Sequence, residues 1–144
     1  MIRTIDISQI AHSIHLQEKS FDLFIKDFVL DEEGWLALNN LTHNDHVYIL
    51  SGIIRDFLTG DFDGVRDFDC VLLKGNIKNA EVIHYLRSST YSFNSFGGLK
   101  IRRPHEIIDI WRMADTWGIR KQGLTITPEA LIKSVFFNFS AIVY

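Results

Sequence analysis

Residues 67–75 read DFDCVLLKG, and no other stretch limits the fold as tightly. Acid and apolar residues alternate and then give way to an unbroken apolar run, the texture of a strand exposed at its start and buried along the rest. Asp67 and Asp69 lie two positions apart, so on a strand their side chains leave the same face. Two carboxylates held side by side repel. Such a pair persists when a divalent cation lies between them, when one stays protonated, or when both are simply solvated.

The surrounding pattern supplies the rest of the sheet. VYIL (47–50) reads as a short buried strand, and SGIIRDFLTG (51–60) as a turn opening a short helix that Gly60 closes. Upstream, residues 8 to 28 carry Ile10, Ile14, Phe21, Phe24, Ile25 and Phe28 at helical spacing, and Asp31 heads DEEGWLALNNL as an N-cap with acids in the first turn. Two helices therefore precede the core. Residues 77 to 87 suit another helix. Leu99 and Ile101 then alternate with Lys100 and Arg102, a turn falls at Arg103-Pro104-His105, and a further apolar run reaches Trp111, which together predict a hairpin. Thr127 caps a last helix with Pro128 at its first position, and FFNFSAIVY ends the chain as an apolar element of either type. The predicted class is α/β (α+β): a mixed β-sheet with helices packed on one side. Residues 1–46 form a helical segment against a core of residues 47–144, in one compact unit.

At 144 residues and 47% hydrophobic content, the chain buries about two-thirds of its unfolded surface, enough for one core. A formal charge of -3 argues against a wholesale electrostatic grip on nucleic acid and confines any polynucleotide contact to a local stripe. The single cysteine, Cys70, lies in the apolar run, which excludes an internal disulfide framework and a cysteine zinc site. Polar residues interrupt the N-terminus every few positions, and no apolar stretch is long enough to cross a bilayer, so a cytoplasmic protein is expected.

Asp109, in HEIIDIW, is a third acid set among apolar residues, where an isolated charge is costly without a partner or solvent. If its strand lies beside that of Asp67 and Asp69, the three acids form a cradle for two metal ions. A calcium loop starting at Asp61 is excluded, because its sixth and twelfth positions are Arg66 and Leu72 rather than glycine and glutamate. The pairs His12/His15 and His43/His46 have zinc-like spacing but no cysteine to support them. Trp35, Trp111 and Trp117 read as core. Lys100, Arg102, Arg103, Arg112, Arg120 and Lys121 read as solvated charge, with triphosphate or an acceptor backbone as the alternative. Arg55 and Asp56 read either as an ion pair bracing a turn or, for the arginine, as a phosphate contact.

Ser51-Gly52 joins a strand to a helix, a geometry whose free N–H groups and helix dipole can hold phosphate. With the acids that follow, SGIIRDFLTG and RDFD resemble the GGxVRDxLLG…DxD signature of the poly(A) polymerase and CCA-adding branch of the DNA polymerase β-like nucleotidyltransferases. FGGLKI (96–101) is similar to that family's R-F-G-T-V-x-V strand, IDIW sets Asp109 at the third carboxylate, and SVFFNFSAIVY resembles R-R-D-F-T-I-N-A-L-A-Y. The resemblance spans residues 47 to 144 and implies a palm-like sheet that transfers a nucleoside monophosphate from a nucleoside triphosphate to an acceptor hydroxyl, RNA among the candidates. It implies two Mg²⁺ ions, replaceable by Mn²⁺, on Asp67, Asp69 and Asp109, with Ser51, Gly52 and Arg55 facing the nucleotide. Two departures qualify it: Ser51 replaces the first glycine, and Ser134-Val135-Phe136 stands at R-R-D. The family continues beyond the position of Tyr144 into helical neck and body domains. CCA addition by this segment alone is therefore not expected; a partner chain that supplies a body domain is one alternative reading. A module that binds without catalysing is the other.

Overall fold

The structure, a computed structural model, describes residues 20–50, 52–60, 67–75, 90–103 and 106–134. Residues 8–19, Ser51, the helix expected over 77–87, the pair His12/His15 and the apolar run ending at Tyr144 lie outside them.

Residues 20–24 are helical and pass into a π-helical turn, Ile25–Val29. Helix α1 (Glu32–Asn44) starts where the Asp31 carboxylate accepts a 2.8 Å hydrogen bond from the Gly34 N–H, satisfying one of the donors that a helix start leaves free. Its buried positions, Gly34, Ala37, Leu38 and Leu41, recur at i, i+3, i+4 and i+7, a single stripe facing the sheet. The helix ends at Asp45, whose carboxylate accepts from the N–H groups of His46, Lys74 and Gly75. That one side chain ties the exit of α1 to the far end of the acid-headed strand.

Five strands follow among the described residues: β1 (Val47–Ile49), β2 (Asp67–Leu72), β3 (Thr90–Phe93), β4 (Leu99–Arg102) and β5 (Ile107–Arg112). They form one mixed sheet in the order β1-β2-β5-β4-β3, in which only the β2–β5 pair is parallel. Helix α2 (Gly52–Thr59) fills the connection from β1 to β2, and Gly60, at φ 71°, closes it in a conformation that favours glycine. The mixed α/β class expected from the sequence is the one observed.

Alternation along the strands sorts the two faces of the sheet. Phe68, Cys70, Leu72, Leu99, Ile101, Ile108 and Ile110 leave one face and pack with Phe21, Phe24, Ile25, Leu38, Leu41, Ile53 and Ile54. Phe57 of α2 completes this layer through ring contacts to Phe21 and Phe24 at 5.2 and 5.3 Å between centroids. Each large side chain buried here contributes about 1.5–3 kcal/mol. On the other face a second cluster of described residues covers the far ends of β2 and β5. There Val71 packs with Met113, Ile119, Ala130 and Leu131, brought in by α3 (Trp117–Gln122) and α4 (Pro128–Ser134). The near end of that face, where Asp67, Asp69 and Asp109 lie, stays uncovered by this cluster.

Two local features differ from expectation. FGGLKI does not run as one strand: Asn94 to Gly98 form a tight turn in which the Asn94 side-chain oxygen accepts from the N–H groups of Phe96 and Gly98, each at 2.9 Å. Gly97 takes φ 85° there, so the strand begins only at Leu99 and pairs back on β3, which the sequence reading does not contain. Helix α3 carries no sequence signal of its own, because at six residues it is too short to show periodicity. The predicted hairpin from Leu99 to Trp111 does form, as β4 and β5, with the Arg103 N–H donating to the Glu106 carbonyl at 2.9 Å. The expected helix at Pro128 forms too, with the Thr127 carbonyl accepting from the Ala130 N–H.

Candidate active site

The β2–β5 register sets Asp69 directly opposite Asp109, with Phe68 opposite Ile108 and Asp67 opposite Ile107. Paired residues on adjacent strands share a face, so the three carboxylates predicted from sequence lie together on the face turned away from α1 and α2. Asp67 is exposed, and Asp69 and Asp109 are half-buried. Burial first, then the charges of Asp109 and Asp67, push the Asp69 carboxyl up to about 6, and the Lys100 ammonium offsets part of that. The main cause is loss of water around the charged form, and the neighbouring carboxylates add to it.

Lys100 on β4 is the register partner of Asp109, and its Nζ lies 2.6 Å from Asp109 Oδ2. Sequence reading counted Lys100 among solvated charges. Its place opposite Asp109 follows from the β4–β5 register, which the length of the turn sets and the periodicity does not show.

Beside the acids, the Leu50 N–H donates to the Asp69 carbonyl at 3.0 Å, so the chain leaves β1 next to Asp69 and enters α2 two residues later. Gly52 starts that helix, and a Cβ there would meet nothing within 4 Å, so the space beside it is open. Arg55 is turned onto its neighbour: Nε and Nη2 lie 3.1 and 2.9 Å from Asp56 Oδ1. The bracing role weighed for Arg55 is thus the contact observed. The His43 ring is held by the Asn39 carbonyl at 2.7 Å. Cys70 is fully buried, and desolvation, then Asp69, push its thiol well above the usual range, as befits a small inert hydrophobe.

A cleft of about 320 Å³ opens over Asp69 and Asp109. Its walls are the Asn94–Gly98 turn with Phe96 on one side, and Trp111, Asp115, Thr116 and Trp117 on the other. Trp111 donates from Nε1 to Thr116 Oγ1 at 3.0 Å, and Arg112 Nε holds Asp115 at 2.6 Å, so this wall is internally braced. Phe96 and Trp117 are 56% and 45% exposed. For Trp117 the core assignment is therefore wrong, and its indole meets the Lys121 ammonium 4.5 Å from the ring centroid. The signal for these walls was faint: Asn94 with Gly97-Gly98 marks a turn, yet nothing in the sequence says what the turn faces. A second cavity, under α1, has about 10 Å³ and apolar walls, the space of about one water.

No protein-family model and no curated protein sequence matches the chain. Among solved structures, it is similar to a CCA-adding enzyme in complex with CTP, with TM-score 0.60 and 17% identity over 87% of this chain and 29% of that one. The chain has a nucleotidyltransferase fold. A CCA-adding enzyme in complex with ATP aligns over 99% of this chain and 31% of that one at 18% identity, with TM-score 0.49. The chain spans less than a third of either enzyme's length. Within this nucleotidyltransferase fold, the donor set on β2 and β5 is of the kind that suits a hard divalent cation, carboxylate oxygens only. The Asp109 and Asp67 charges, which add to burial in raising the Asp69 carboxyl, are what a cation held there would offset. As they stand, no three His, Cys, Asp or Glu side chains among the described residues close on one metal position. No helix among the described residues is long and apolar enough to cross a membrane.

Proposed function

We propose that the protein is a Mg²⁺-dependent nucleotidyltransferase that moves a nucleoside monophosphate from a nucleoside triphosphate to an acceptor hydroxyl, releasing pyrophosphate. The observation that carries this reading is the pairing of Asp69 with Asp109 on adjacent parallel strands, on the face of Asp67 and next to the start of α2. By this reading Asp67, Asp69 and Asp109 hold the cation, with Ser51 and Gly52 facing the triphosphate and Arg55 lending charge. A divalent cation, when bound, offsets the charge of the triphosphate and of the leaving pyrophosphate. The acceptor oxygen forms a bond to the α-phosphorus, the bond from that phosphorus to the bridging oxygen breaks, and the hydroxyl proton passes to Asp109. Catalysis is then largely positioning and electrostatics.

The test is incubation with labelled nucleoside triphosphates, Mg²⁺ and acceptors drawn from RNA, small hydroxylated molecules and proteins, comparing the wild type with Asp69→Asn. Transfer that survives the substitution unchanged refutes the reading. One observation favours a second reading, a module that binds a nucleotide without turnover: Asp109 is already satisfied by Lys100. Calorimetry that finds cation-dependent triphosphate binding, with no transfer to any acceptor, selects it. A partner chain supplying a body domain would reveal itself by co-purification.

A further inference from the structure

The sheet presents its own cation where the reading above wants an external one. Lys100 and Asp109 are register partners on adjacent strands, with 2.6 Å between Nζ and Oδ2, and their side chains are 33% and 19% exposed. Pairing across strands fixes both backbones, so the contact is built into the hairpin rather than assembled by two flexible surface chains. Asp109 also stands opposite Asp69, so the ammonium serves the carboxylate that faces Asp69 across the strands. A lysine amine has a long, rotatable stem and can leave without moving the sheet.

We propose that Lys100 is a built-in counter-ion that regulates this site. In the free protein it occupies Asp109 and lowers the affinity of the acid face for a divalent cation. When the cation arrives with its nucleotide, the ammonium gives up Asp109 and turns to the incoming triphosphate. The free site is thereby held weak for the cation alone and becomes strong for the cation with its nucleotide. This inference rests on the proposed function. Lys100 acts through Asp109 and is a positioning residue in the free state.

The test is Mn²⁺ binding to the full chain, followed by the paramagnetic resonance signal of free Mn²⁺, with and without a non-hydrolysable ATP analogue. Lys100→Met is expected to bind Mn²⁺ alone about tenfold more tightly than the wild type, the order expected for removing one nearby charge at a partly exposed site. With the ion bound, it is expected to hold the analogue several-fold more weakly. Lys100→Arg, which keeps the charge, restores wild-type Mn²⁺ affinity, and Lys26→Met, a like charge change on the exposed flank of the helical layer, leaves it within about twofold. Thermal melts confirm that each variant is folded. Equal Mn²⁺ affinity in the wild type and Lys100→Met, or an equal gain in Lys26→Met, overturns the proposal while leaving the nucleotidyltransferase reading intact. Mn²⁺ binding to neither protein, even with the analogue present, overturns both.

Discussion

A single carboxyl shows how this fold sets stability against function. Asp69 is held up to about 6 against an ordinary 3.8, so the folded protein binds that proton more tightly than the unfolded chain does. Its contribution is therefore most favourable below 3.8 and is lost as pH rises through about 6, at a cost on the order of 1–3 kcal/mol at neutral pH. Asp69→Asn removes that cost. Urea denaturation in the absence of divalent cations should find the variant more stable than the wild type at pH 7.5, with the gap closing towards pH 4, while nucleotide transfer falls by at least about 100-fold. A variant less stable than the wild type at pH 7.5 would contradict the electrostatic account. The residue types were legible without a structure, since two acids at the head of an apolar run need an explanation. The size of the strain was not, because it depends first on burial and then on charges such as Asp109 and Lys100, which are 40 and 31 positions away in sequence.

Two contacts between elements carry predictions of their own. Arg103, at the end of β4, has a side chain only 7% exposed and gathers Asp31 and Glu33 at the start of α1 with Glu106 before β5. Burial, then Asp31, push the Glu106 carboxyl up to about 7, and Arg103 opposes that shift. Arg103→Met leaves Glu106 buried without its cation, and chemical denaturation should register a loss of about 3 kcal/mol. Adding Glu106→Gln to that variant should recover part of it, since a neutral amide costs less to bury than an unpaired carboxylate. At the other end of the sheet, α3 crosses α4 so closely that a Cβ on Gly118 would overlap the Ser134 carbonyl oxygen, with Ser134 Cβ at 2.8 Å. Gly118→Ala should cost about 1–3 kcal/mol in the same assay, although an alanine in an isolated helix would stabilise it. Neither contact was readable from propensity, because both join segments that only the tertiary fold brings together.

For the molecule as a whole, the reading predicts coupled stabilisation by ligands. The Mn²⁺ complex of a non-hydrolysable triphosphate, acting as one ligand near 100 times its dissociation constant, should add about 2.7 kcal/mol and raise the melting temperature by about 5–10 °C for a chain of this size. Either ligand alone should do less, and Asp67→Asn should abolish the joint shift. A melting curve indifferent to both ligands would count against the function and leave the fold untouched. The order of elements from Asp31 to Leu72, the buried Cys70, the β4–β5 hairpin and the helix at Pro128 were all determined by sequence, because each follows from local periodicity, a cap or a turn. Three acids could likewise be singled out by their setting. That β5 runs parallel to β2 and puts Asp109 opposite Asp69, that β3 closes the sheet edge, and that Lys100 answers Asp109 were decided by tertiary structure alone. Strand order and register are set by which apolar faces can be buried together, and that choice is made between segments far apart in the chain.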